Sequence, residues 1–232
     1  MDFMLLIVNP KDGVPRESVT MDQMDAWARE LRAAKKIRSG SPLHEEGKAV
    51  RVKRRRGDIQ MVDGPFAESK EVIGGWIMID VASRAEAIEI AGRCPATRSG
   101  VVAVSQAMSD RVDVAPDGAR WLLLFIEPPD FGGDPDGSKY DEMVKWTDAL
   151  KAERKYVECA GLPQSPPQAR LESRGGKLVV TDGPFAESKE VIGGYALVVA
   201  ASRAAAIDIA SRCPHANWGE VEVREVMAIG PA

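Results

Sequence analysis

Cysteine, histidine, long apolar stretches and a charge imbalance are all scarce in this chain of 232 residues. Its three cysteines, Cys94, Cys159 and Cys213, show no paired spacing. An odd count without pairing argues against a disulfide framework and against a zinc site, and no metal is expected. The apolar run at the start is short, and the residue after Met1 is the acid Asp2. A secretory signal needs a basic start, and a spanning helix needs about 20 apolar residues, so a cytoplasmic protein with no membrane partner is expected. The formal net charge is only -4. That balance gives no global attraction to nucleic acid or to anionic membrane. Neither GxGxxG nor GxxxxGK[ST] occurs, so no phosphate cradle and no cofactor are expected. What is present, 44% hydrophobic and 28% charged residues, is the composition of an ordinary globular protein.

A long internal repeat organises the chain. Residues 63–75 read DGPFAESKEVIGG, and residues 182–194 read the same, 119 positions later. The offset persists: Ser83-Arg84-Ala85 matches Ser202-Arg203-Ala204, Arg93-Cys94-Pro95 matches Arg212-Cys213-Pro214, and Met108 matches Met227. Solenoid units run about 20–50 residues, so a period this long means two whole domains. The expected division is a first copy over 1–109, a polar linker over 110–119 ending near the Pro116-Asp117-Gly118 turn signal, and a second copy over 120–232.

The patterning within copy one gives a buried strand over 3–8 and an amphipathic helix over 20–36 capped by Thr20. Short strands over 49–54 and 59–62 form a hairpin about Gly57-Asp58. A strand over 72–81, a helix capped by Ser83 and ending before Pro95, and a strand over 100–108 complete the copy. Copy two repeats the order with strands over 121–126, 169–173, 177–181, 192–200 and 220–227 and helices over 138–159 and 203–212. Each copy is then α+β, in the order β-α-β-β-β-α-β. Two helices cover one face of a four-stranded sheet, so the other face must be buried elsewhere. Packing of the two sheets on each other, an intrachain pseudo-dimer, is the expected solution.

The residues that could carry chemistry lie at the shared segment. Asp63 and Asp182 begin an Asp-Gly-Pro turn, and Phe66 and Phe185 follow as core plugs. This is a tight turn, or else the wall of a ligand cleft with the carboxylate facing the ligand. Ser69, Lys70, Ser188 and Lys189 would then add polar contacts; each lysine sits between glutamates and could equally be a solvated ion pair. Glycines 74, 75, 193 and 194 allow a bulge or a close approach. Trp76 and Tyr195 follow them, either in the core or lining a pocket between sheets. His215 lies two residues after Cys213, but copy one has Ala96 there, which weakens a nucleophile–base pair. Arg51, Lys53, Arg54, Arg55 and Arg56 form a basic run, read as a hairpin edge that discourages aggregation rather than as a strong nucleic-acid signal.

From Asp63 to Glu71, and again from Asp182, the chain resembles the YCII-related family in its DGPF subgroup. The resemblance covers both copies nearly end to end, through the opening strand, the Gly-Gly-aromatic strand entry, the Cys-Pro after the second helix and the closing strand. It implies a ferredoxin-like α+β fold and a dimeric α/β barrel, for which one chain here would supply both halves. Some YCII-like enzymes act in chlorinated-aromatic breakdown through a His-Asp pair, with the histidine on the first helix and the aspartate just before the proline after the second. Neither first helix here contains histidine, and the residues before the prolines are Cys94 and Cys213. No catalytic role carries over, and the catalytic residues are left unassigned. The expected function is a small-molecule-binding or enzyme-like module with its site at the DGPF loops. The alternative is a regulatory interaction protein, because DGPF members also resemble proteins encoded beside extracytoplasmic-function sigma factors. Partners compatible with these readings are a small molecule, a sigma factor or a second copy of the chain.

Overall fold

The computed structural model describes residues 1–67, 69–128, 131–165, 167–183 and 191–227. Copy one contributes β1 (Asp2–Pro10), α1 (Met21–Ala33), β2 (Ile37–Pro42), β3 (Val50–Arg55), β4 (Asp58–Asp63), β5 (Glu71–Asp80), α2 (Arg84–Gly92), the single turn α3 (Ala96–Ser99) and β6 (Val101–Gln106). Then come β7 (Met108–Arg111), β8 (Arg120–Glu127), α4 (Ser138–Ala152), β9 (Tyr156–Gly161), β10 (Ala169–Arg174), β11 (Lys177–Asp182), β12 (Val191–Val199), α5 (Arg203–Ser211) and β13 (Glu220–Glu225).

Two strands escaped the sequence patterning. The helix expected over 138–159 stops at Ala152, and Tyr156–Gly161 is strand β9. Its counterpart β2 falls between the first helix and the hairpin, where the patterning shows no element. The same device ends both first helices: Lys35 and Arg154, at equivalent positions, adopt φ of 56° and 55°. A left-handed residue cannot continue a right-handed helix, so the chain turns there and enters the sheet. The expected linker is also partly ordered, because β7 pairs with β9 at the edge of the second sheet.

Within each copy the four principal strands are antiparallel and lie in the order β6-β1-β5-β2 and β13-β8-β12-β9. That is fourth-first-third-second, the ferredoxin-like arrangement of a βαββαβ chain. The hairpins, however, are exchanged. Copy one's β3–β4 hairpin pairs with β13 of copy two, and copy two's β10–β11 hairpin pairs with β6 of copy one. The result is one six-stranded sheet, β11-β10-β6-β1-β5-β2, and one seven-stranded sheet, β4-β3-β13-β8-β12-β9-β7.

Strict alternation along the central strands sorts their side chains. Phe3 and Leu5 of β1 join Trp27 and Leu31 of α1 and Ile90 of α2 in one apolar cluster. Trp121, Leu123 and Phe125 of β8 join Trp146 and Leu150 of α4 and Ile209 of α5 in a second. The intervening residues form a third cluster that draws on both sheets: Met4, Leu6, Trp76 and Met78 from the first, Leu122, Leu124, Tyr195 and Leu197 from the second. The exchanged hairpins enter the helix-side clusters of the other copy, Val50 and Val52 in one and Ala169 and Leu171 in the other. Cys94 and Cys213 are buried at the ends of α2 and α5, and all three cysteines are free thiols.

The Gly-Gly pairs act as the sequence suggested. The β1–β5 register slips between Ile7 and Val8, with Gly74 left out of the ladder, and the β8–β12 register slips at Gly193. A side chain on Gly74 would lie 2.7 Å from Asn9 Nδ2, and one on Gly193 would overlap the Glu127 carboxylate.

Candidate functional site

The first DGPF loop leaves β4 at Asp63. The Gly64 amide donates to the Ala49 carbonyl at 3.0 Å, and a Cβ at Gly64 would overlap the Glu46 carbonyl, so only glycine fits. The Gly64–Pro65 peptide is cis. Phe66 then turns inward and is buried, with the Arg51 guanidinium 4.1 Å above its ring. Arg51 also donates from Nη2 to Ser69 Oγ at 2.9 Å. Lys11 Nζ donates to the Phe66 carbonyl at 2.9 Å and pairs with Glu46 at 2.7 Å. Lys70 is exposed, and its carbonyl accepts the Lys11 amide.

Behind the loop is a buried charged chain that crosses the copies. Arg51 Nε donates to Glu222 Oε2 at 2.9 Å, and Arg224 Nη1 donates to Glu222 Oε1 at 3.0 Å. Arg224 Nη2 donates to the His44 carbonyl at 2.6 Å. Glu222 is 5% exposed and Arg224 1%. The equivalent positions in copy one are Ala103 and Ser105, so this half alone carries the network. The basic run is therefore largely spoken for. Arg51 reaches Glu222, Lys53 reaches Glu220 at 2.6 Å, and Arg54 reaches Asn217 at 3.1 Å, which leaves Arg55 and Arg56 on the surface. The run pins the exchanged hairpin to β13 and the chain that precedes it.

Asp63 and Asp182 occupy matching exposed positions with matching partners. Asp63 pairs with Arg203 at the start of α5, and Asp182 pairs with Arg84 at the start of α2. Each aspartate therefore clamps its hairpin to the other copy's second helix. The arginines were visible in the sequence as the repeated Ser-Arg-Ala, which gave no hint that their partners lie across the repeat. Phe185, Ser188 and Lys189 of the second loop lie outside the described residues.

Beside the Asp63–Arg203 pair lies a groove of about 450 Å³, lined by Gly47 and Lys48 from copy one and by Trp121, Ser202, Arg203 and Glu225 from copy two, among others. Arg203 Nη2 also approaches the Ala49 carbonyl at 3.5 Å. The groove thus places two cations, one carboxylate and an indole around an open recess, with the segment just before the first hairpin as one wall.

Trp76 and Tyr195 lie elsewhere, in the cluster shared by the sheets, and are 2% and 0% exposed. Tyr195 donates its hydroxyl to Glu158 Oε1, and Ser39 donates to Glu158 Oε2 at 2.9 Å. Ser39 and Glu158 are equivalent positions of the two copies, and they meet at the junction between β2 and β9. Burial first, and the Glu158 charge second, push the Tyr195 hydroxyl far above its usual range. The indole Nε1 of Trp76 is buried without a hydrogen-bond partner among the described residues.

His215 is no catalytic base in this arrangement. Its Nε2 is 3.0 Å from the Ile126 carbonyl, and its Nδ1 accepts from Trp218 Nε1 at 3.0 Å. The ring stacks on Phe125 at 5.2 Å. Burial, the leading cause, lowers its pKa to about 4. Burial likewise pushes the Cys94 thiol up to about 12 and that of Cys213 higher still, which disfavours the thiolate at both pre-proline positions. The histidine gives a testable pH dependence. Its folded pKa lies below the unfolded value near 6.5, so the unfolded chain binds the proton first as pH falls. Stability is expected to decline from about pH 6.5 towards pH 4. In His215→Gln that part of the slope should be absent, as read by denaturant midpoints across a pH series for both proteins.

Among the described residues, no group of three or more His, Cys, Asp or Glu is placed to hold a metal ion. Nor is any described helix long and apolar enough to cross a membrane.

The fold is thus a tandem of two ferredoxin-like repeats locked by exchanged hairpins. The YCII-related domain model matches residues 1–109 and again 119–229, and the chain belongs to that family. An uncharacterized protein of Rhizobium meliloti (strain 1021) is 35% identical over 102 residues, which covers 40% of this chain and 82% of that protein. A crystal structure of a candidate chlorite dismutase aligns over 98% of this chain and 94% of its own, at 9% identity and a TM-score of 0.41. That likeness is too remote to bear on fold or chemistry.

Proposed function

We propose that this protein binds a small organic carboxylate in the groove beside the first DGPF loop. Its two repeats pair as an intrachain pseudo-dimeric α/β barrel that holds the groove walls together. The reading rests on the convergence of Lys48 and Arg203 with Trp121 around a recess of about 450 Å³. Small-molecule sites of about 300–1,000 Å³ combine apolar walls with a few placed polar groups in this way. The groove draws on both copies, so only the paired chain has a complete site. The apolar cluster shared by the sheets and the exchanged hairpins support that pairing. Asp63 already shows a carboxylate on the Arg203 guanidinium. A ligand carboxylate would share or replace it, since planar bidentate recognition suits arginine. Phe66 and Ser69 act as supports, holding Arg51 and with it the hairpin that carries Asp63.

Calorimetric titration with a panel of short mono- and dicarboxylates tests this. Lys48→Ala and Arg203→Gln are each expected to weaken binding tenfold or more. Asp63→Ala should melt within about 1 kcal/mol of the parent, since its ion pair is exposed, while its affinity changes. Failure of every carboxylate to bind, or parental affinity in Lys48→Ala and Arg203→Gln, would sink the reading. A large stability loss in Asp63→Ala would show that the loop serves folding instead.

A further inference from the structure

The six-stranded sheet ends on β11, and among the described residues nothing pairs with that strand's outer side. The Gly183 amide donates inward to Gln168, and the β10–β11 register continues that pattern. In an antiparallel ladder the inward positions alternate, so Lys177, Val179 and Thr181 turn their main chain to β10. Leu178, Val180 and Asp182 turn their amides and carbonyls outward. Leu178 is 49% exposed and Val180 45%. An uncovered edge strand with four successive uncharged residues, Leu-Val-Val-Thr, is a template for another strand.

We propose that β11 is the surface through which two copies of this chain associate, edge to edge about a two-fold axis. Charge singles out this edge from its equivalent, β4, where Met61 and Val62 are similarly exposed. The β3–β4 hairpin, Val50–Asp63, holds five basic residues and two acidic ones, with Arg55 and Arg56 on the surface. Its edge strand β4 carries Asp58 and Asp63, which an antiparallel self-pairing centred on Gln60 would bring close together, like charge against like. The β10–β11 hairpin, Ala169–Asp182, holds three basic and two acidic residues, close to balance. An antiparallel pairing centred on Val179 keeps the outward main-chain groups in register. It sets Leu178 against the partner's Val180 and Lys177 against the partner's Thr181, and opposes no two charges. Such a pairing is isologous and closes at two copies.

Sedimentation velocity of the full chain over a concentration series is the test. The parent is expected to show a concentration-dependent dimer. Val180→Pro should be monomeric with unchanged circular dichroism, because the Val180 amide points outward and its loss breaks no bond to β10. Met61→Lys, on the other edge, should leave the dimer intact. A second readout does not depend on how Val180→Pro folds. The non-hydrogen-bonded pair at the axis would hold the two Val179 Cα atoms about 4.5 Å apart, within disulfide range, so Val179→Cys should cross-link under mild oxidation. A parent that stays monomeric, a dimer that survives in folded Val180→Pro, a dimer lost in Met61→Lys, or no cross-link in Val179→Cys would each overturn the proposal.

Discussion

Glu222→Ala is expected to cost about 3–5 kcal/mol, since it leaves the buried Arg224 guanidinium without its carboxylate. Glu222 bridges Arg51 and Arg224, accepting from Arg51 at 2.9 Å and from Arg224 at 3.0 Å. Arg224 is 1% exposed and has no route to water without moving the chain around it. For a chain of this length the melting temperature should fall by roughly 10 °C. The repeat supplies its own control. At the equivalent positions copy one has Ala103 and Ser105, so Glu222→Ala with Arg224→Ser imports a pair the fold already accommodates. The double variant should be more stable than Glu222→Ala alone, because it removes the stranded charge along with its partner. Thermal and urea melts of the two variants decide the matter. If both lose the same amount, or Glu222→Ala loses less than about 1 kcal/mol, the network is not a buried lock between the copies.

Trp76→Ala should cost a comparable amount, about 3–5 kcal/mol, by the ordinary cavity penalty for a large aromatic in a packed core. Trp76 is 2% exposed and sits among Met4, Leu6 and Leu124, side chains from both sheets. A tryptophan lining a ligand pocket would instead lose little stability on truncation. Trp76→Phe provides the sharper contrast. It sheds an indole N–H that is buried without a partner, so part of the packing loss is offset by relief of an unsatisfied donor. A Phe variant as unstable as Ala would show that the indole ring itself, not the removal of a cavity, is what the core requires.

These two predictions fall on residues of different legibility. Trp76 was singled out from the repeat, with core and pocket both open. The alternation along β5 and the depth of the shared cluster place it in the core. Glu222 was not singled out at all. Glu220, Glu222 and Arg224 alternate with Val221 and Val223, which reads as a strand with one wet face. That face is wet only until the neighbouring hairpin is known. When β3 of the other copy lies beside β13, the polar side of the strand becomes the inside of an interface. Glu158 was lost for a related reason. A helix pattern running from residue 138 absorbed a strand of six residues, and the break at Arg154 is a left-handed backbone position that neither propensity nor hydrophobic spacing reveals. The clamps Asp63–Arg203 and Asp182–Arg84 lay in plain view as repeated residues. Their pairing was hidden because a repeat aligns each residue with its twin, whereas the fold joins each residue to the other copy's different residue.

By itself the sequence determined that the chain is two copies of one α+β module. It also determined the central strands and the presence of two principal helices in each copy. These are local properties: periodicity, capping by Thr20, Ser83 and Ser202, and glycine where a side chain would collide. Only the tertiary structure decided that the hairpins change places, that Arg51 of the basic run belongs to an interior lock, and that the groove beside Asp63 is built from both copies. Two copies of one module offer each hairpin two edges of the same geometry, its own and its twin's. The choice between them depends on chain reach and on which charges meet, as Arg51 meets Glu222, and those are long-range quantities that no local pattern in the sequence encodes.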